Sequence, residues 1–97
     1  MGLGTACKTT RLTSAGNIKD SGGILYWLIA TNPSSSIRHF TLHNATSGTS
    51  GEVHKFRIPV ESTKVFSFDP PISMGTGIRI GAIEHNETVI TGGYGGD

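Results

Sequence analysis

A chain of 97 residues has room for one domain and a modest core. Only 15% of its residues are charged and the net charge is +1, which excludes a disordered polyelectrolyte and leaves no concentrated basic footprint for nucleic acid. The single cysteine, Cys7, excludes an intrachain disulfide and a cysteine-based zinc site. The 14 glycines, among many Thr and Ser, point to an all-β domain rich in turns.

The opening MGLGTACKTTR lacks a basic region followed by an apolar one, so no secretory leader is expected. Residues 6–14, ACKTTRLTS, alternate roughly and are Thr-rich, which predicts a first strand at a sheet edge. Residues 15–23, AGNIKDSGG, read as connection in which Ile18 packs.

The run ILYWLIA, residues 24–30, is the longest apolar stretch and is far too short to span a bilayer. Bounded by Gly22-Gly23 and NPSSS, it predicts a strand buried on both faces. One face of a sandwich strand meets the core, so the other requires a cover: an arm of the chain or another subunit.

Residues 36–45 place Phe40 and Leu42 on one face and His39, Thr41 and His43 on the other. Residues 51–60 set His54, Phe56, Ile58 and Val60 against Val53, Lys55, Arg57 and Pro59. Pro59 cannot donate to a ladder and marks an edge or a strand end. Residues 63–71 alternate Val65 or Phe66, and Phe68, against polar residues until DPP stops them. Residues 72–77 turn, residues 78–84 alternate again, and residues 87–94 form a last strand. Seven or eight short strands without helical periodicity predict a sandwich or barrel. We expect one domain over residues 1–97, with a flexible arm of about residues 1–7 and a tail of about residues 93–97.

The stretches SGGILYWLIATN, TLHNATSGTSGEV and FDPPISMGTGIRIGAI occur in an order that resembles a group of small bacteriophage virion proteins. The resemblance runs from Ser21 to Thr91. The chain departs from the pattern at His43-Asn44, where Tyr-Asp is expected, and at Ala45, where Gly is expected. What the resemblance implies is a small antiparallel, jelly-roll-like β-sandwich acting as a capsid decoration or cement protein. Its partner would be the major capsid protein, its place the capsid surface, and its assembly a trimer. A tail, fibre or glycan-binding module is the alternative.

No enzymatic activity, cofactor or metal is expected. The many serines include no nucleophile elbow, and the acidic residues are dispersed. His39 and His43 share a face but lie roughly 13 Å apart along a strand, too far for one ion. The segment GTGIRIG lacks the lysine and helix of a phosphate loop. Asn44-Ala45-Thr46 and Asn86-Glu87-Thr88 match the glycosylation pattern only as chance occurrences in a Thr-rich chain. The loop NATSGTSG is expected to be a structural turn, its glycines and Asn supplying unusual backbone angles.

Candidate contact residues fall in two regions. An arm over residues 2–11 contributes Leu3, Thr5 and Arg11. The outward face of residues 24–30 contributes Tyr26 and Trp27 as candidate anchors, and one of the two must point away from the core, since neighbours on a regular strand point to opposite sides. An outward aromatic serves as a subunit contact or a sugar platform.

Overall fold

Alternation in the sequence becomes eight strands in the computed structural model, which describes residues 7–81, 83 and 88–96. They are β1 (Lys8–Leu12), β2 (Gly16–Lys19), β3 (Gly23–Asn32), β4 (Arg38–His43), β5 (Glu52–Ile58), β6 (Ser62–Met74), β7 (Ile78–Gly81) and β8 (Val89–Gly95). All pairings are antiparallel. The strands form two four-stranded sheets, ordered β1-β8-β3-β6 and β2-β7-β4-β5. Every connection except β4 to β5 passes from one sheet to the other, the connectivity of a jelly-roll sandwich.

The inward sides of the strands meet in one core. Leu25, Leu28 and Ala30 of β3 face Phe40 and Leu42 of β4, with Ile58, Ile78, Ile80 and Ile90 around them, all fully buried. Burying each of the larger side chains contributes about 1.5–3 kcal/mol. Aromatic rings close the β5–β6 side. Phe56 stacks on Phe40 at 4.9 Å between centroids and packs against Phe66 at 4.8 Å.

The structure corrects the sequence reading at five points. Residues 15–23 are more than connection, because β2 forms there and pairs with β7, burying Ile18. Four residues with one apolar side chain give no periodicity to detect. The segment DPP does not end its strand: β6 runs on to Met74, with the Asp69–Pro70 bond cis. Proline is tolerated because β6 is an edge strand, and the ladder to β3 jumps from Leu25↔Ile72 to Trp27↔Ser67 around the prolines. Val60 does not join the inward set, since β5 ends at Ile58 and Val60 is exposed. The tail expected from residue 93 is still strand to Gly95, with Tyr94 packed against the core. Finally, β3 is buried on one face only. Its outward side is described next.

Candidate interaction face

Between β3 and β8 the register contains an extra residue. Leu25 lies opposite Tyr94 and Trp27 opposite Gly93, so Tyr26 forms a β-bulge. The bulge resets the alternation. Leu25 and Leu28, three residues apart, both have zero exposure. Tyr26 and Trp27 then both turn outward, where a regular strand would send one of them into the core.

Glycines of β8 receive the two rings. A Cβ on Gly93 would fall 2.2 Å from Cε2 of Trp27, and one on Gly95 would fall 3.1 Å from Cε2 of Tyr26. The indole therefore lies against the β8 backbone at a position that has no side chain. Between these glycines Tyr94 points inward, its hydroxyl 3.4 Å from Oγ1 of Thr10.

The rest of this face follows from the register. One row across the sheet reads Arg11, Thr91, Ile29, Val65, and the next reads Thr9, Gly93, Trp27, Ser67. Thr31 and Thr63 lie on the other side of the first row, their hydroxyls 3.0 Å apart. Val65 is 63% exposed and Tyr26 is 37% exposed, while Trp27 and Ile29 are half-buried.

Of the residues singled out from sequence, Arg11, Tyr26 and Trp27 converge on this face. Leu3 and Thr5 lie outside the described residues. Ile29, Val65 and Thr9 were missed because their place depends on strand order. The glycine seats at 93 and 95 did leave a signal, the spacing in GGYG.

The other sequence features have structural roles. The loop of residues 44–51 is closed by a hydrogen bond from the Asn44 amide to the Gly51 carbonyl, 2.8 Å. Oδ1 of Asn44 accepts the Thr76 and Gly77 amides at 2.8 and 3.4 Å, which ties the loop to the turn before β7. Arg79 donates to the Gly48 carbonyl at 3.1 Å, and Asn17 to the Thr46 carbonyl at 2.9 Å. The backbone amides of the GTGIRIG turn are thus partly occupied, and Asn44 serves as a strut. Asn86, in the second glycosylation pattern, lies outside the described residues.

His43 is buried on the outward side of β4. Its Nδ1 lies 3.0 Å from the Ser50 carbonyl and its Nε2 lies 2.7 Å from Oγ1 of Thr41. A proton on Nδ1 is donated to Ser50, and Nε2 then accepts from the Thr41 hydroxyl, so the neutral ring satisfies both contacts. His54 lies against Phe56 at 4.9 Å. Among the described residues no group of three or more His, Cys, Asp or Glu is placed to hold a metal ion. Two shallow depressions of about 350 and 400 Å³ lie at Gly22–Gly23 with Met74 and at Pro33 with Glu61. Neither gathers an acid, a base and a nucleophile.

Comparison of the chain with family models, with curated proteins and with solved structures finds no match.

Proposed function

We propose that the chain is a structural protein of a bacteriophage virion, a decoration or cement protein that binds the major capsid protein at the capsid surface as a homo-oligomer. One observation carries the reading: Tyr26, Trp27 and Arg11 share an open sheet face with Ile29 and Val65. Protein interfaces are enriched in Tyr, Trp and Arg and depleted in Lys and Glu, and these three residue types dominate binding hot spots. The virion setting rests on the resemblance of residues 21–91 to small phage proteins.

The mechanism requires no reaction. A shell offers many identical sites, and an oligomer that touches several neighbours gains avidity because each further contact is intramolecular. Clamping neighbouring shell subunits raises the barrier to their separation. Closed symmetry suits such an assembly, and a trimer is what the resemblance implies.

A second reading, a tail or fibre module that binds host glycan, draws on a separate observation. The rings lie over glycines, with Thr9 and Ser67 in the row of Trp27 and Thr91 in the next row. Flat rings fringed by hydroxyls suit the face of a sugar.

The test is the copy number of the chain in purified particles, by quantitative peptide mass spectrometry against the major shell protein. Copies in a fixed, near-stoichiometric ratio to the shell protein are expected. A handful per particle would favour the tail or fibre reading, and absence would overturn the virion assignment.

A further inference from the structure

We infer that the outward face of the β1-β8-β3-β6 sheet continues past Ile29 into a subsite at Glu61, and that the strip from Trp27 to Glu61 binds an uncharged oligosaccharide of about trisaccharide length. The inference rests on reading the face as a sugar platform and is independent of the virion assignment.

The strip follows from the register. Trp27, Ile29 and Thr31 alternate along the outward side of β3, opposite Ser67, Val65 and Thr63 of β6. Beyond Thr31 and Thr63 lies the depression of about 400 Å³ that Pro33, Ser62 and Glu61 complete. A volume of this order suits a small ligand. From Trp27 to Thr31 the strand advances about 13 Å. One sugar ring on the indole does not reach the depression, and a trisaccharide does. Ile29 and Val65 lie between the two ends, where the C–H face of the middle ring would rest.

Hydrogen-bonding capacity selects the ligand. The hydroxyls of Thr31 and Thr63 are 3.0 Å apart, so one donates to the other and one proton is left for a ligand. Ser62 gives its hydroxyl proton to the Pro59 carbonyl, and the Asn32 amide is committed to loop backbone. Glu61 is exposed, and its carboxylate supplies acceptors only. The depression thus presents a carboxylate beside hydroxyls that donate and accept. Adjacent sugar hydroxyls match this set, because each both donates and accepts. An anion is repelled. An ammonium uses the carboxylate but brings no acceptor for the remaining hydroxyl proton.

The backbone at residue 61 points the same way. Glu61 has a φ of 47°, and its amide donates to the Ser34 carbonyl at 3.0 Å. The other described residues with positive φ are glycines, at 48, 51 and 96. A side chain at such an angle costs energy that glycine avoids. The chain keeps a carboxylate there, on the wall of the depression, and strain retained in this way marks functional positions.

Titration of the isotope-labelled full chain with glucose, maltotriose, cellotriose and triacetylchitotriose, followed by two-dimensional NMR, tests this. At least one trisaccharide is expected to shift the Trp27 indole N–H together with the Thr31 and Thr63 amides, at about millimolar affinity for so shallow a site. Glucose, too short to engage both ends, is expected to bind about tenfold more weakly. Glu61→Gly is expected to keep or raise the melting temperature, since glycine suits the angle, and to weaken the trisaccharide about fivefold or more. Glu61→Gln, which retains one acceptor oxygen, is expected to fall between. A trisaccharide that shifts Trp27 alone, or that binds Glu61→Gly as well as the parent, would overturn the subsite and leave the platform standing. No shift with any of the sugars would overturn both. N-acetyl-lysinamide is expected to shift nothing, and shifts at Thr31 and Thr63 with it but not with the sugars would overturn the choice of ligand. The particle copy number tests the virion assignment separately from every one of these outcomes.

Discussion

Gly93→Ala places a methyl group where the indole of Trp27 lies. The added Cβ would sit 2.2 Å from Cε2 and 2.5 Å from both Cζ2 and Nε1. Carbon atoms rest at about 3.5–4.0 Å, so the ring must move by more than about 1 Å. Overpacking of this kind costs about 1–3 kcal/mol. Two effects reduce it: replacing glycine in a strand recovers about 0.5–1 kcal/mol, and the ring can swing towards solvent. A net loss of about 1 kcal/mol follows, which lowers the melting temperature of a domain this size by about 4–8 °C. The chain has one tryptophan, so its fluorescence reports on this ring alone. The expected result is a red-shifted emission maximum together with the lower melting temperature. Gly92→Ala is the control. Its Cβ would point into the core, 2.5 Å from Cδ1 of Ile18, so it destabilises the fold and leaves the Trp27 emission in place. An unchanged emission maximum in a folded Gly93→Ala protein would refute the glycine seat and, with it, the description of the face.

Two further predictions concern the loops. Gly51 and Gly48 both have positive φ, 67° and 70°, but only Gly51 is crowded: its Cβ would fall 2.6 Å from the Asn44 carbonyl oxygen. Gly48→Ala is expected to cost about 1 kcal/mol from backbone conformation alone, and Gly51→Ala clearly more, as read from urea unfolding midpoints. Equal losses would mean that the Asn44–Gly51 closure contributes nothing. Asn32 is fully buried, with Nδ2 2.8–3.2 Å from the carbonyls of Ser36, Ile58 and Pro59 and Oδ1 accepting from the Ser34 amide at 3.0 Å. Asn32→Ala strands these groups and leaves a void, an expected loss of about 2–4 kcal/mol by chemical denaturation. A loss below about 1 kcal/mol would show that the two loops hold together without it.

Strands whose own pattern suffices were legible. Phe40 and Leu42 alternate with His39, Thr41 and His43, and the structure buries Phe40 and Leu42 in the core. What escaped depends on a neighbour. Strand β2 has one buried side chain, Ile18, and becomes a strand because β7 offers it a ladder. Pro70 and Pro71 look like a stop until β6 is known to be an edge. The face itself was half legible: ILYWLIA announces an outward aromatic, but the bulge that sends out two is a property of the β3–β8 pair.

The composition of β8 follows from that bulge. Glycine within a strand costs about 0.5–1 kcal/mol relative to alanine, so Gly93 and Gly95 weaken the sheet as a fold. Burying Trp27 would have strengthened it, since a large aromatic contributes more inside than half-exposed. The chain instead turns its one tryptophan and the adjoining tyrosine outward and lays both against backbone without side chains. A side chain at 93 or 95 would displace the ring that lies there. Exposed Val65 beside Ile29 adds apolar area to the same face. Stability alone favours none of these choices, and contact with a partner favours all of them, which is why the functional assignment rests on this face and not on the loops or the histidines.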